Sequence, residues 1–457
     1  MSAQAPRTRW GGIADGCFPA DHFFRITEDN GVYWFVDPDG GRFLSKGVNT
    51  VSFDQDAIRD SQRIPYAESC TRKYGGKHAW RSAIAVRLVH WGFNTLGSWS
   101  DEMVAQTDLA FMAVACNLDL GMSFARAQND TAKRGTPPQV FPDVFDAGFD
   151  RHIRLRAREL CATHLNEQSV LGWFIDNELR WGADWRGPEE LLMLHLARGP
   201  ETAGGAAAMA WLRDRHPDFT TLKAVWRIPA QSWDAVERLT HIDQPYSREP
   251  AYQRNPSEEE AANRADPKRA VFFADCDEFA AYVADRYFSR TITAIKAADP
   301  NHLILGCRFA YAPPPGVVAA AARYCDVISL NCYDRDPSPV IDAYSVSGRP
   351  CLIGEFSFRA ADSGLPNTAG AGPLVTTQTE RAALFRHYVT AALKKPQIVG
   401  FHWFEHADQP AEGRFDGENS NFGTVSINDD IYKELTDAMT SVNAGAEMLH
   451  ATAGHVA

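Results

Sequence analysis

The chain has 457 residues with 45% hydrophobic and 23% charged, an ordinary globular composition with ample material for a large core. Its 46 Lys+Arg against 58 Asp+Glu give a formal net charge of -12, and no basic run marks a nucleic-acid footprint. No apolar run reaches about 18 residues, so no transmembrane span is expected, and the opening stretch MSAQAPRTRWGGIADGCF lacks the apolar core of a secretory signal.

Residues 1–41 read as a small N-terminal β cap, because FFRITEDNGVYWFVDPDGGRFL has hairpin character with DPDGG as its turn. From residue 42 onward, eight short β-rich apolar runs follow one another. They are RFLSKGVNT (42–50), NTLGSW (94–99), AFMAVACNLDL (110–120), SVLGWFIDNE (169–178), HLILGCRF (302–309), CDVISLNCY (325–333), PCLIGEFSF (350–358) and IVGFHWFEH (398–406). Helical patterns fall between them, among them SAIAVRLVHWG, FDRHIRLRARELCATHL, FAAYVADRYFSRTITAIKAADP and TTQTERAALFRHYVTAALKKP, and a last helix lies at about 430–445. This alternation predicts an α/β fold, a (β/α)8 barrel over residues 42–449 with 450–457 as a tail.

A large, partly helical insertion occupies about 180–270, with SREPAYQRNPSEEEAANRADPKRA (247–270) read as a charged loop. It follows a strand, on the face where barrel enzymes place their sites, so it serves a substrate cleft or a homo-oligomer contact. Nine Cys, several of them inside apolar runs, read as buried free thiols, and the expected location is cytoplasmic.

Two of the eight runs end in an internal Glu: FIDNE puts Glu178 at the end of the fourth strand, and LIGEF puts Glu355 at the end of the seventh. Those ends face each other across a barrel mouth. Glycoside hydrolysis needs such a pair, one carboxyl to protonate the leaving oxygen and one to attack, about 5–5.5 Å apart for retention. Asn177 is placed to meet a sugar 2-hydroxyl. Asn49, Trp99, Arg308, Asn331, Tyr333 and Trp403 are further strand-end candidates, with Tyr333 holding Glu355 ionised and Trp403 stacking on the sugar. Glu405 and His406, and the loop residues Asp416, Glu418 and Asn419, complete the substrate-binding set.

HWFEH (402–406) matches an inverted zinc-protease pattern, which requires a helix. On the expected strand His402 and His406 lie about 13 Å apart, too far to share a metal. Lys46 lies mid-strand, away from a Schiff-base position. No nucleotide motif sits between a strand and a helix, and no metal or organic cofactor is expected.

The strand-four and strand-seven motifs resemble those of clan A glycoside hydrolases. FLSKGVNTVSF, GFNTLGSWSD, GWFIDNELRWG, DPNHLILGCRF, DVISLNCYDRDP, CLIGEFSFRA and GFHWFEHADQPAEGRFDGENSNFG look more closely like the agarase-type glycoside hydrolase family 50 and its β-galactosidase-like relatives, over roughly residues 30 to 445. The resemblance implies retaining hydrolysis of β-galactosidic bonds in agar-type oligosaccharides or polysaccharides. It implies Glu178 as acid/base and Glu355 as nucleophile, without a cofactor. Where those enzymes typically read GEFHFGA, this chain has Ser357 and Arg359. The alternatives are a β-galactosidase or β-glucosidase of short oligosaccharides, a catalytically silent carbohydrate-binding barrel, and a metal-dependent isomerase or lyase on the same barrel.

Overall fold

Each of the eight apolar runs contributes one strand to a closed parallel ring. The computed structural model describes residues 6–107, 110–131, 141–237, 239 and 242–455. The strands are β1 (Ser45–Val48), β2 (Thr95–Leu96), β3 (Ala113–Asn117), β4 (Val170–Phe174), β5 (Leu303–Gly306, resuming as Phe309–Ala310), β6 (Ile328–Asn331), β7 (Cys351–Phe356) and β8 (Ile398–Trp403). Each pairs in parallel with the next and β8 returns to β1. The first half of β5 pairs with β4 and the second with β6, so the ring closes through a broken strand.

The outer layer includes α1 (Lys77–His90), α2 (Ala147–Cys161), α3 (Pro267–Ala298), α4 (Pro315–Tyr324), α5 (Ser338–Ser345), α6 (Gln378–Leu393) and α7 (Lys433–Ala451). Their ends follow local chemistry. Asp146 caps α2 by accepting from the Gly148 amide. At α6, Thr377 accepts from the Glu380 amide while Glu380 accepts from the Thr376 amide, a reciprocal arrangement close to a capping box. Between β2 and β3 the described residues carry a 3-10 turn, Glu102–Val104, where an α-helix would ordinarily stand. No helix is long and apolar enough to cross a membrane.

The bottom of the ring is sealed by the N-terminal segment. Arg25–Asp29 and Val32–Val36 form an antiparallel hairpin, extended by Arg42–Phe43. Its tight turn is Asn30-Gly31, both at positive φ, as two-residue hairpin turns require. DPDGG, expected to be that turn, makes the second one, leading into Arg42. Trp10, Phe24, Phe35 and Phe43 pack with Ala113, Leu171, Leu305, Val327, Leu352 and Val399 from the barrel strands. Burying a phenyl group fully contributes about 1.5–3 kcal/mol, so this plug is a substantial part of the core.

The insertion after β4 is helical for much of its length, with Leu191–Leu196, Ala203–Arg215, Phe219–Trp226, Trp233–Val236 and Pro256–Ala265. The last of these corrects the loop expected over 247–270: Asn255 caps it, Pro256 stands in its first turn, and Glu258 and Glu259 face its positive end. Asp266 caps α3 immediately afterwards, so α3 begins a dozen residues before the expected start. The insertion is pinned to α3 by Asp275, which accepts from His216 (2.7 Å) and Trp226 (3.0 Å), and by Arg248 between Glu190 and Asp277.

All nine cysteines are unpaired and all but Cys17 are buried. Lys46 points out of the barrel to Glu447 on α7 at 2.5 Å, away from any carbonyl site in the ring.

Candidate active site

Glu178 lies four residues beyond β4, and its φ of 51° puts it in the left-handed region. Trp99 (φ 61°) and Arg308 (φ 51°), beyond β2 and inside the break of β5, share that conformation. It is uncommon for a side-chain-bearing residue and costs on the order of 1–3 kcal/mol at each position. Three such residues at the ends of three strands turn their side chains from the ladder direction toward the mouth. At β5 the register shift between Ile304 and Gly306 accomplishes the same re-aiming.

Arg308 is the hub. It is fully buried and lies between the rings of Trp99 (4.9 Å) and Phe174 (4.8 Å). Its Nη2 donates to Glu355 Oε1 at 2.5 Å, Nη1 to Ser98 Oγ at 2.8 Å, and Nε to Asn177 Oδ1 at 2.8 Å. Asn331 Nδ2 donates both to Asn177 Oδ1 (3.2 Å) and to Glu178 Oε1 (2.9 Å). Tyr333 donates its hydroxyl to Glu355 Oε2 at 2.6 Å. The two carboxyls are therefore joined by one continuous hydrogen-bond chain, Glu355–Arg308–Asn177–Asn331–Glu178.

Gly354 makes this approach possible: a Cβ there would meet Asn331 Oδ1 at 2.9 Å and Arg308 Nη1 at 3.2 Å. The Gly354 carbonyl accepts from Asn49 Nδ2 at 2.9 Å, so Asn49 braces β7 from β1 and is itself fully buried.

The two carboxyls have different surroundings. Glu355, 5% exposed, has a cation on one oxygen and a phenol on the other. Glu178 has one amide donor, and burial followed by the charge of Glu355 pushes its carboxyl up to about 7. Those surroundings favour the protonated form of Glu178.

Other candidates sit elsewhere. Trp403 is 0% exposed; its ring packs outward against Phe356, Phe358 and Phe385, and its Nε1 donates to the Phe422 carbonyl. The expected stacking on a sugar has no free ring face here. Trp99 has one, being 43% exposed above Arg308. His406 is likewise enclosed, with Nε2 near the Tyr66 hydroxyl (3.2 Å) and Trp80 beside it, and burial pushes its pKa down to about 3. His402, on β8, faces Ser45 Oγ at 2.9 Å, so the two histidines share no partner.

Glu405 is buried with Asp56 and Glu418 around Arg414. Gln409 Nε2 donates to Glu405 Oε1 (3.0 Å) and Glu418 Oε2 (2.9 Å), while Glu405 Oε2 has no hydrogen-bond partner among the described residues. Burial, then the charge of Asp56, raises the Glu405 carboxyl well above its ordinary range. Asp416 is exposed and held by Arg414. Asn419 Oδ1 accepts from the Thr368 and Ala369 amides and closes a loop. Arg359 donates to the Gly372 carbonyl and braces that same loop.

Sequence reasoning missed Ser98, Gln409 and Arg414; only the position of Ser98 beside Trp99 at a strand end pointed to it. Among the described residues, the grouping of metal-ligand types Glu102, Cys116 and His164 is already knitted by a 2.6 Å His164–Glu102 contact and a 3.5 Å Cys116–Glu102 contact. It shares no member with the carboxyl pair.

Comparison with known proteins finds the same barrel elsewhere. No family model matches the chain. It is 29% identical over 508 aligned residues to beta-agarase A of Vibrio sp. (strain JT0107), covering 96% of this chain and 48% of that protein. With beta-agarase B of the same strain it is 26% identical, covering 98% of this chain and 51% of the other. The chain thus spans about half the length of these relatives. The solved structure of PfGH50B superimposes with a TM-score of 0.76 at 25% identity, covering 98% of this chain and 70% of that one. The resemblance to agarase-type barrels read from the motifs holds along almost the entire chain.

Proposed function

We propose that the chain is a retaining β-glycosidase acting on the β-galactosidic bonds of agar-type oligosaccharides, with Glu178 as general acid/base and Glu355 as nucleophile. The observation that carries this reading is the unequal treatment of the two carboxyls: Arg308 and Tyr333 each donate to one oxygen of Glu355, while Glu178 is pushed up to about 7. Similarity to the two beta-agarases supports the substrate class.

In the first step Glu355 attacks the anomeric carbon, the glycosidic C–O bond breaks, and the Glu178 proton passes to the departing oxygen. In the second, Glu178, now ionised, takes a proton from water, whose oxygen displaces Glu355 from the anomeric carbon. Asn177, its carbonyl oxygen held by Arg308 and Asn331, presents its amide nitrogen to the sugar 2-hydroxyl. Trp99 offers a ring face, and Glu418, partly exposed, accepts from sugar hydroxyls, while Glu405 stays buried behind it. The buried unpaired thiols fit a reducing, cytoplasmic setting.

Purified Glu178→Gln and Glu355→Gln should each lose roughly 10²–10⁴-fold in kcat on agar-derived oligosaccharides. Wild-type turnover in either variant would remove that residue from the mechanism.

A further inference from the structure

The insertion between β4 and α3 encloses a second cavity of about 520 Å3, lined in part by Trp185, Arg186, Pro250 and Arg254. That is within the roughly 300–1,000 Å3 of ordinary ligand pockets. A narrow crevice shares Trp185 and Arg254 with it and runs past Tyr252 to Tyr311 and Leu179, the residue next to Glu178. The rings are well placed along this route. Trp185 is 51% exposed, with the Arg186 guanidinium 4.4 Å from its centre. Tyr252 is partly exposed, and its centroid lies 5.4 Å from that of Tyr311.

The route is tied to the acid itself, because Arg186 Nη2 donates to the Glu178 carbonyl oxygen at 2.9 Å. Its charge is balanced: four acids and four arginines line the larger cavity. Arg186 pairs with Asp184, and Arg248 with Glu190 and Asp277. A phosphate or sulfate would find no surplus cation there. Half-exposed aromatic rings above a neutral polar wall suit a sugar, which has apolar faces and hydroxyl edges.

We propose that this track is the leaving-group subsite, holding the uncharged sugar units beyond the scissile bond through Trp185 and Tyr252. The inference rests on the reading of Glu178 as acid/base, since the group that protonates the departing oxygen stands on the leaving-group side. It assigns the insertion a substrate with several sugar units beyond the bond that is cut.

The test compares the full chain with Trp185→Ala, Tyr252→Ala and Trp185→Phe on an agar-derived hexasaccharide and on an aryl β-galactoside, whose leaving group is too short for the track. Each alanine variant should lower kcat/KM on the hexasaccharide about tenfold, through KM, and change aryl-glycoside turnover less than twofold. Trp185→Phe, which keeps a ring, should restore most of the loss. Equal effects on both substrates, or none on the hexasaccharide, would overturn the subsite while leaving the glycosidase reading intact. Wild-type failure on both substrates would overturn that reading, and the subsite with it.

Discussion

Glu178 and Glu355 are linked through Arg308 and Asn177, yet Glu355 accepts a guanidinium and a phenol while Glu178 accepts one amide. The difference has a pH signature. As the proposed general acid, Glu178 works only when protonated, and its carboxyl is raised to about 7 by burial and by Glu355. Activity should therefore fall as pH rises through that value. The folding stability from this carboxyl has the same sign: present below the ordinary Glu range and lost as pH rises through the raised value. A kcat/KM profile should show an alkaline limb near pH 7 that Glu178→Gln abolishes on substrates with activated leaving groups. A limb that persists in the variant would assign it to another group.

At this scale the sequence was partly legible. One Glu at a strand end is usually solvated or salt-bridged; FIDNE and LIGEF stand out because they pair on the fourth and seventh strands, with Asn177 before the first Glu. Trp403 takes the outward face because a strand sends alternate side chains to opposite faces, and the register shifts that decide between them leave no mark in the composition. His406 lies beyond the end of β8, where the alternation no longer applies.

Among elements, the break in β5 does the most. Gly306, at φ 89°, and Arg308 interrupt the ladder, and the strand resumes beside β6 after delivering a guanidinium to the mouth. HLILGCRF offers Arg308 as a strand-end residue, but not the break in the strand that turns it inward. The stop of α3 before Pro300 was legible, whereas its Asp266 cap was masked by a dense run of charges around 258–269.

The loop after β8 is fastened to the helical layer by Asp429. It accepts from Arg87 on α1 at 2.7 Å and 3.0 Å, from Lys73 at 2.8 Å and from Tyr74 at 2.5 Å. These donors outweigh burial and lower its pKa, so the stability it contributes is present above the ordinary Asp range and lost as pH falls through the lowered value. Asp429→Asn should cost about 3–5 kcal/mol in urea unfolding, because Arg87 is left mostly buried beside an uncharged group. A loss below about 1 kcal/mol would show that Arg87 finds another partner or reaches water.

Across the whole molecule, the N-terminal segment supports the floor of the barrel while the insertion packs on α3 and reaches the Glu178 backbone through Arg186. The alternation of strands and helices made the barrel readable from the sequence. The plug was less so, because its partners, such as Phe35 and Val399, are far apart in the chain. Phe35→Ala should lower stability by about 3–5 kcal/mol, since the ring cannot be replaced without a cavity among strand residues that cannot collapse. Stability unchanged within about 0.5 kcal/mol would mean the plug is dispensable to the fold.

Double displacement by Glu178 and Glu355 fixes which anomer leaves first. The direct measurement is NMR of the sugar first released from an agar-derived oligosaccharide, recorded before mutarotation. Initial β-anomer is the predicted result, since two inversions at the anomeric carbon restore its configuration. Initial α-anomer would mean a single inversion and would contradict Glu355 as nucleophile.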